Sequence, residues 1–219
     1  MAVLMTSGGV IPATGKLLSD YAEGDIVKLN ENGSPVEFYV AKHDYESGLN
    51  GAGRTLLVRK DCYDMREWHI YTGNPYASST IDTWLNGTYK SLLDADVQSV
   101  IVATKFYYTP GGSDYTVTTL SRAIFLLSVT ELGKASSYNN TEGSALPIAS
   151  TLQTAYLNGS GVEQWTRSPY TKDNVHACVL SISGKVAFFY CDGVYGSRPA
   201  FTLSGNAKFD PETNEFMKG

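Results

Sequence analysis

Three histidines, three cysteines and a scatter of carboxylates are the residues of this 219-residue chain best suited to carry chemistry. Their spacing assembles none of the usual catalytic sets. His43, His69 and His176 stand far apart, and no HExxH or HxH joins any two of them, which removes the common zinc-hydrolase signature. No Gly-x-Ser-x-Gly marks an activated serine. The loop Gly48-Leu49-Asn50-Gly51-Ala52-Gly53 contains a GxG, but a phosphate-binding loop needs a following helix or a GK[ST], and neither is written here. Cys62, Cys178 and Cys191 are odd in number and lack CxxC or Cys/His ligand spacing. Cys178 and Cys191 flank Gly184, so a bridge across a hairpin stays open, although reduced thiols are the simpler reading for a chain of this size. Asp94 and Asp96 fall at a predicted helix start, where negative charge favours the dipole. The expectation is a non-enzymatic protein with no catalytic residue, no metal and no cofactor.

What remains is the chemistry of recognition. Trp165 to Leu203 mixes polar and aromatic residues between two rigid ends, Trp165-Thr166-Arg167-Ser168-Pro169 and Ser197-Arg198-Pro199-Ala200-Phe201. The chain has 15 Tyr and 21 Gly, and is visibly rich in Ser and Asn. Those residues give contact area and adaptable hydrogen bonds at low entropic cost. The same bias arises in any loop-rich β protein, so both readings stand at this point.

A net charge of -5 supplies no basic footprint for nucleic acid. No run of about 18 apolar residues predicts a membrane-spanning helix. The first residues, MAVLMTSGGVIPATGK, lack the basic and long apolar regions of a secretory signal. Assembly inside a cell is the corresponding expectation.

The elements that must position the 165–203 segment follow from pattern. Strands are predicted at Gly24–Leu29, Val36–Ala41 and Thr55–Arg59, the first two joined by the hairpin signal Asn32-Gly33. Ser79 caps a predicted helix whose stripe is Ile81, Trp84, Leu85, Leu92 and Leu93, with Asn86-Gly87 placed to bend or split it. Further helices are predicted at 94–102 and 148–157, a strand at 104–109 and a central apolar strand at 123–127. Ser128 to Glu131 matches a capping box. Residues 1–23 read as an arm that docks on a neighbour or stays disordered, residues 24–204 as the domain, and residues 205–219 as a polar tail.

The order Gly-Asp-Ile-Val, Thr83-Trp84-Leu85-Asn86, Phe125-Leu126-Leu127-Ser128, Trp165-Thr166-Arg167-Ser168-Pro169 and Ser197-Arg198-Pro199-Ala200-Phe201 resembles a domain family of unknown function from gut Firmicutes and their phages. That pattern is similar in turn to the terminal half of C-type-lectin-like folds, including formylglycine-generating enzymes and retroelement-diversified phage variable proteins. The resemblance implies an α+β, C-type-lectin-like mixed fold with short antiparallel strands, two or three short helices and long loops.

It also implies a framework of Trp165, Arg167, Ser168, Pro169, Gly196, Arg198, Pro199 and Phe201. The implied contact residues are Tyr170, Lys172, Asp173, Asn174, His176 and Cys178 on one side of the segment's turn, and Lys185, Ala187, Phe189, Cys191, Asp192 and Val194 on the other. Alternation then sends Val186, Phe188 and Tyr190 to the core. The sequence lacks the Glu-Pro-Asn and Trp-Asn-Asp elements of calcium-dependent lectins and a recognisable formylglycine-type cysteine pair.

The function implied is that of a phage virion surface protein, on tail or capsid, whose domain binds a host-surface glycan or protein. Its arm would contact other virion proteins and the chain would form a homo-oligomer, with no nucleic acid and no membrane insertion. An architectural virion role and a formylglycine-generating activity are the alternatives.

Overall fold

The computed structural model describes residues 15–70 and 73–218 and begins with β1 (Lys16–Leu17). Asn32 and Gly33 take φ of 52° and 75°, the geometry a two-residue hairpin requires. They join β2 (Ile26–Glu31) to β3 (Ser34–Lys42), which continues to β4 (Arg54–Arg59) and β5 (Asp64–Glu67). After a helical segment come β6 (Ile101–Val102), β7 (Thr104–Tyr108), β8 (Thr118–Arg122) and β9 (Ile124–Phe125). The last third is almost all strand. It comprises β10 (Ala155–Leu157), β11 (Ser160–Val162), β12 (Gln164–Pro169), β13 (His176–Leu180), β14 (Val186–Tyr190), β15 (Val194–Ser197), β16 (Ala200–Ser204) and β17 (Lys208–Phe209).

Two sheets dominate. One has the order β2-β3-β4-β16-β6, with β9 also on β16; the other runs β14-β13-β12-β15-β5. The chain passes directly from β15 to β16 through buried Arg198 and Pro199, so the Ser197–Phe201 end of the 165–203 segment ties the two sheets together. Ala200, Phe201 and Leu203 have no solvent exposure, as a strand paired on both sides demands.

The expected α+β, lectin-like layout is overturned. The chain is mostly β, with 39% strand, 16% helix, several sheets and a half-barrel. Local competition explains the lost helices. Ser79 Oγ does accept the Asp82 N–H at 3.1 Å and starts the helix Thr80–Trp84. The next turn, Leu85–Tyr89, widens to a π-helix, a form frequent as a single-turn bulge. Asn86 holds it there: its Nδ2 donates to Ile124 O at 2.9 Å, and its Oδ1 accepts from Ile124 N at 3.1 Å.

The helix predicted over 148–157 shrinks to Ala149–Leu152. Beyond it, Asn158 and Gly159 adopt φ of 51° and 79° and turn β10 back onto β11. The hairpin signal wins over the helical spacing. Of the apolar run 123–127, only Ile124–Phe125 forms strand, paired with β16. The Leu126 N–H turns instead to Tyr76 Oη at 3.0 Å.

Residues 1–14 of the expected arm lie outside the described residues. Its remainder docks on its own chain: β1 pairs with β17, and Leu18 is fully buried. The polar tail is likewise structured, since Phe209 is fully buried and its ring meets Phe216 at 5.7 Å. Among the described residues no helix is long and apolar enough to cross a membrane.

Candidate recognition face

The site is built outward from the buried ends of the segment. All eight framework residues are buried: Trp165, Arg167, Ser168 and Pro169 on β12, Gly196 on β15, and Arg198, Pro199 and Phe201 beyond it. Arg167 Nη1 donates to Glu131 Oε2 at 2.6 Å and to Leu126 O at 3.0 Å, while Nε and Nη2 donate to Tyr107 O. Tyr45 Oη donates to the other Glu131 oxygen. Burial by itself would lower the Arg167 pKa, but the charge of Glu131 outweighs it and keeps the guanidinium firmly protonated.

A second buried carboxyl, Glu142, accepts from Ser168 Oγ at 2.6 Å and from Thr109 N at 2.7 Å. Burial pushes its pKa up, against the pull of Arg167 and these donors. Arg198 is satisfied differently. It donates to four carbonyls, those of Arg59, Lys60, Leu152 and Thr154, and burial lowers its pKa.

Gly196 fits only because it lacks a side chain: a Cβ there would lie 2.6 Å from Cys62 Sγ and 2.9 Å from Glu163 O. These ends form a clamp inside the protein.

From the clamp, β13 and β14 project as a hairpin closed by Ser181 and Gly184, whose N–H donates to Ser181 O at 2.8 Å. The register pairs His176 with Tyr190, Cys178 with Phe188 and Leu180 with Val186. Paired residues share a face. His176 and Cys178 therefore share theirs with Val186, Phe188 and Tyr190, whereas Ala187 and Phe189 point to the other side. This corrects the predicted alternation, whose phase is broken by the turn. Phe189 stacks on Tyr195 at 4.6 Å, and Tyr195 meets Trp165 edge-on at 4.9 Å. Val186 and Phe188 are half-buried and Tyr190 is 62% exposed. None of the three is a core residue, because β14 is the outer strand of its sheet.

The face so formed is aromatic. Phe188 stacks on Tyr170 at 4.2 Å and meets Tyr138 at 5.0 Å; His176 lies 4.2 Å from Tyr190. His176 is fixed by Asp173, whose Oδ2 lies 2.8 Å from Nδ1. Burial opposes the Asp173 charge, but N–H donation from Val175 and the His176 contact prevail and hold its carboxyl below the usual range. Lys172, Asn174, Lys185, Asp192 and Val194 are exposed around this hairpin.

Besides Ala187 and Phe189, which turn to the other side, two more predicted contact residues are displaced. Cys178 and Cys191 are buried and unpaired, as is Cys62; Cys178 is on the aromatic face but covered, its Sγ lying against the carbonyls of Tyr138 and Pro169. Burial raises all three thiols, Cys62 and Cys191 to about 12, so none is held as a thiolate near neutral pH. Among the described residues, no group of three or more His, Cys, Asp or Glu is placed to hold a metal ion.

Asn74 is the organiser that sequence reading missed. It is fully buried, and its Nδ2 donates to the carbonyls of Tyr170, Asp173 and His176 at 3.0, 3.1 and 2.8 Å. Its Oδ1 accepts from Gly112 N at 2.7 Å. One amide thus shapes the whole 170–176 loop. The signal present was Gly73-Asn74-Pro75 facing a Gly111-Gly112 pair, two turn marks whose proximity no local rule reveals. Tyr138 was also missed; its carbonyl accepts from Thr171 N at 2.9 Å.

The model of the family described as "Domain of unknown function (DUF6273)" matches residues 52–205. The chain belongs to that family. The match spans β5, the bent helix and the complete clamp, so the clamp and the face it carries lie within the family domain. No curated protein and no solved structure matches the chain.

Proposed function

We propose that this chain is a phage virion surface protein that binds a host-surface ligand through the face of Tyr138, Tyr170, His176, Phe188 and Tyr190. The observation that carries this reading is the cluster of half-buried rings packed on an outer hairpin and led by Tyr190, which is 62% exposed, set above a rigid buried clamp. Rigid aromatic anchors give large contact area at little entropic cost, and a polar rim gives orientation. Lys172, Asp173 and Asn174 supply that rim. A glycan fits this chemistry well: its C–H faces lie on rings while its hydroxyls meet the carboxylate and amide. The virion placement rests on the resemblance read from the WTRSP and SRPAF segments of the sequence.

The test is adsorption of the purified chain to bacterial cells, together with immunodetection on phage particles. Saturable adsorption and labelled particles are expected. A chain that neither adheres to cells nor copurifies with particles would refute the proposal.

A further inference from the structure

The outer strand of the recognition hairpin leaves a backbone edge open, and its register states which groups are involved. Ser181 N–H donates to Lys185 O at 2.9 Å, and Cys191 N–H donates to Val175 O at 3.0 Å. Antiparallel alternation between these two bonded pairs turns the backbone of Ala187 and Phe189 toward β13, and that of Val186, Phe188 and Tyr190 outward. Among the described residues, the one bond to these outward groups is from Gly193 N–H to Tyr190 O at 2.9 Å. Exposed edges are commonly blunted by a proline, a bulge or charges within the strand. The β14 sequence, Val-Ala-Phe-Phe-Tyr, has none of these.

We infer that β14 pairs antiparallel with β14 of a second copy of this chain, about a two-fold axis at Phe188. The strand is self-complementary in that register. Phe188 faces Phe188 of the second copy, and Val186 faces Tyr190, so each outward N–H meets the outward carbonyl of the residue opposite. Charge selects the same partner. Lys185 precedes the strand and Asp192 follows it in the turn closed by the Gly193 N–H to Tyr190 O bond, both exposed, so antiparallel pairing sets the cation of one copy at the same end of the strand pair as the carboxylate of the other. Directly opposed residues share a face, so the two aromatic faces lie on the same side of one ten-stranded sheet. Two sites on one rigid surface raise avidity for a repetitive ligand without any new contact. The pairing itself does not depend on what that ligand is.

Sedimentation velocity of the complete chain, at concentrations to about 100 µM given the modest size of a single-strand interface, tests it with charge reversals. A dimer is expected, weakened about tenfold by Lys185→Glu or by Asp192→Lys and restored in the double variant. Val186→Pro removes an outward N–H and is expected to give monomer, with circular dichroism confirming the fold; if that variant does not fold, the charge-reversal pair decides. A monomer throughout the range overturns the inference. So does a dimer indifferent to both reversals, which would place the contact on another face.

Discussion

Arg167 and Glu131 form a 2.6 Å ion pair in which neither side chain has any solvent exposure. The pair joins β12 to the turn after β9, and the same guanidinium holds the carbonyls of Tyr107 and Leu126. A buried pair of this kind adds little over a well-packed apolar substitute, but breaking it strands a charge. Glu131→Gln is therefore expected to cost about 3–5 kcal/mol in urea unfolding. A cost under about 1 kcal/mol would show that the clamp does not depend on this carboxylate.

Gly196 meets a tighter limit than conformational freedom. A methyl group there would collide with Cys62 Sγ and with the backbone oxygen of Glu163, and backbone cannot step aside cheaply. Gly196→Ala is expected to lower stability by about 1–3 kcal/mol, the range for overpacking. Cys62→Ala in the same background should recover part of that loss, because it removes the closer of the two obstacles. Absence of any recovery in thermal melts would place the strain on Glu163 instead.

Asp82 makes stability depend on pH. It is 4% exposed and bonded to Arg122 at 2.8 Å; burial raises its pKa to about 6, more than Arg122 lowers it. The folded state thus binds this proton more tightly than the unfolded chain does. The resulting contribution is complete below the ordinary aspartate value of 3.8 and is lost as pH rises through about 6. Asp82→Asn should therefore gain stability relative to the parent between pH 4 and 7, by on the order of 2 kcal/mol. A relative loss over that interval would mean that the Arg122 pairing dominates.

How much of this was readable in the chain depended on how local each cause was. The Asn32-Gly33 hairpin, the Ser79 cap and the buried clamp from Trp165 to Phe201 follow from short-range chemistry or from the family resemblance. The fold class did not, because Asn86 reaches to Ile124 and Asn158-Gly159 overrides a helical spacing, which replaces expected helix with irregular turns and strand. The contact residues expected on β14 were read with the wrong phase. Period-two alternation survives along a strand, whereas the turn between strands sets which faces match. Asn74, 96 to 102 residues from the carbonyls it holds, was beyond any local rule.

The most direct test of recognition through this face is the adsorption of Tyr190→Ala to the same bacterial cells, with its melting temperature as control. Tyr190 is 62% exposed and touches little besides the His176 ring, so stability should change by no more than about 0.5 kcal/mol. Affinity is expected to fall by about tenfold or more, as for an aromatic anchor. Undiminished adsorption by a folded Tyr190→Ala protein would contradict the account.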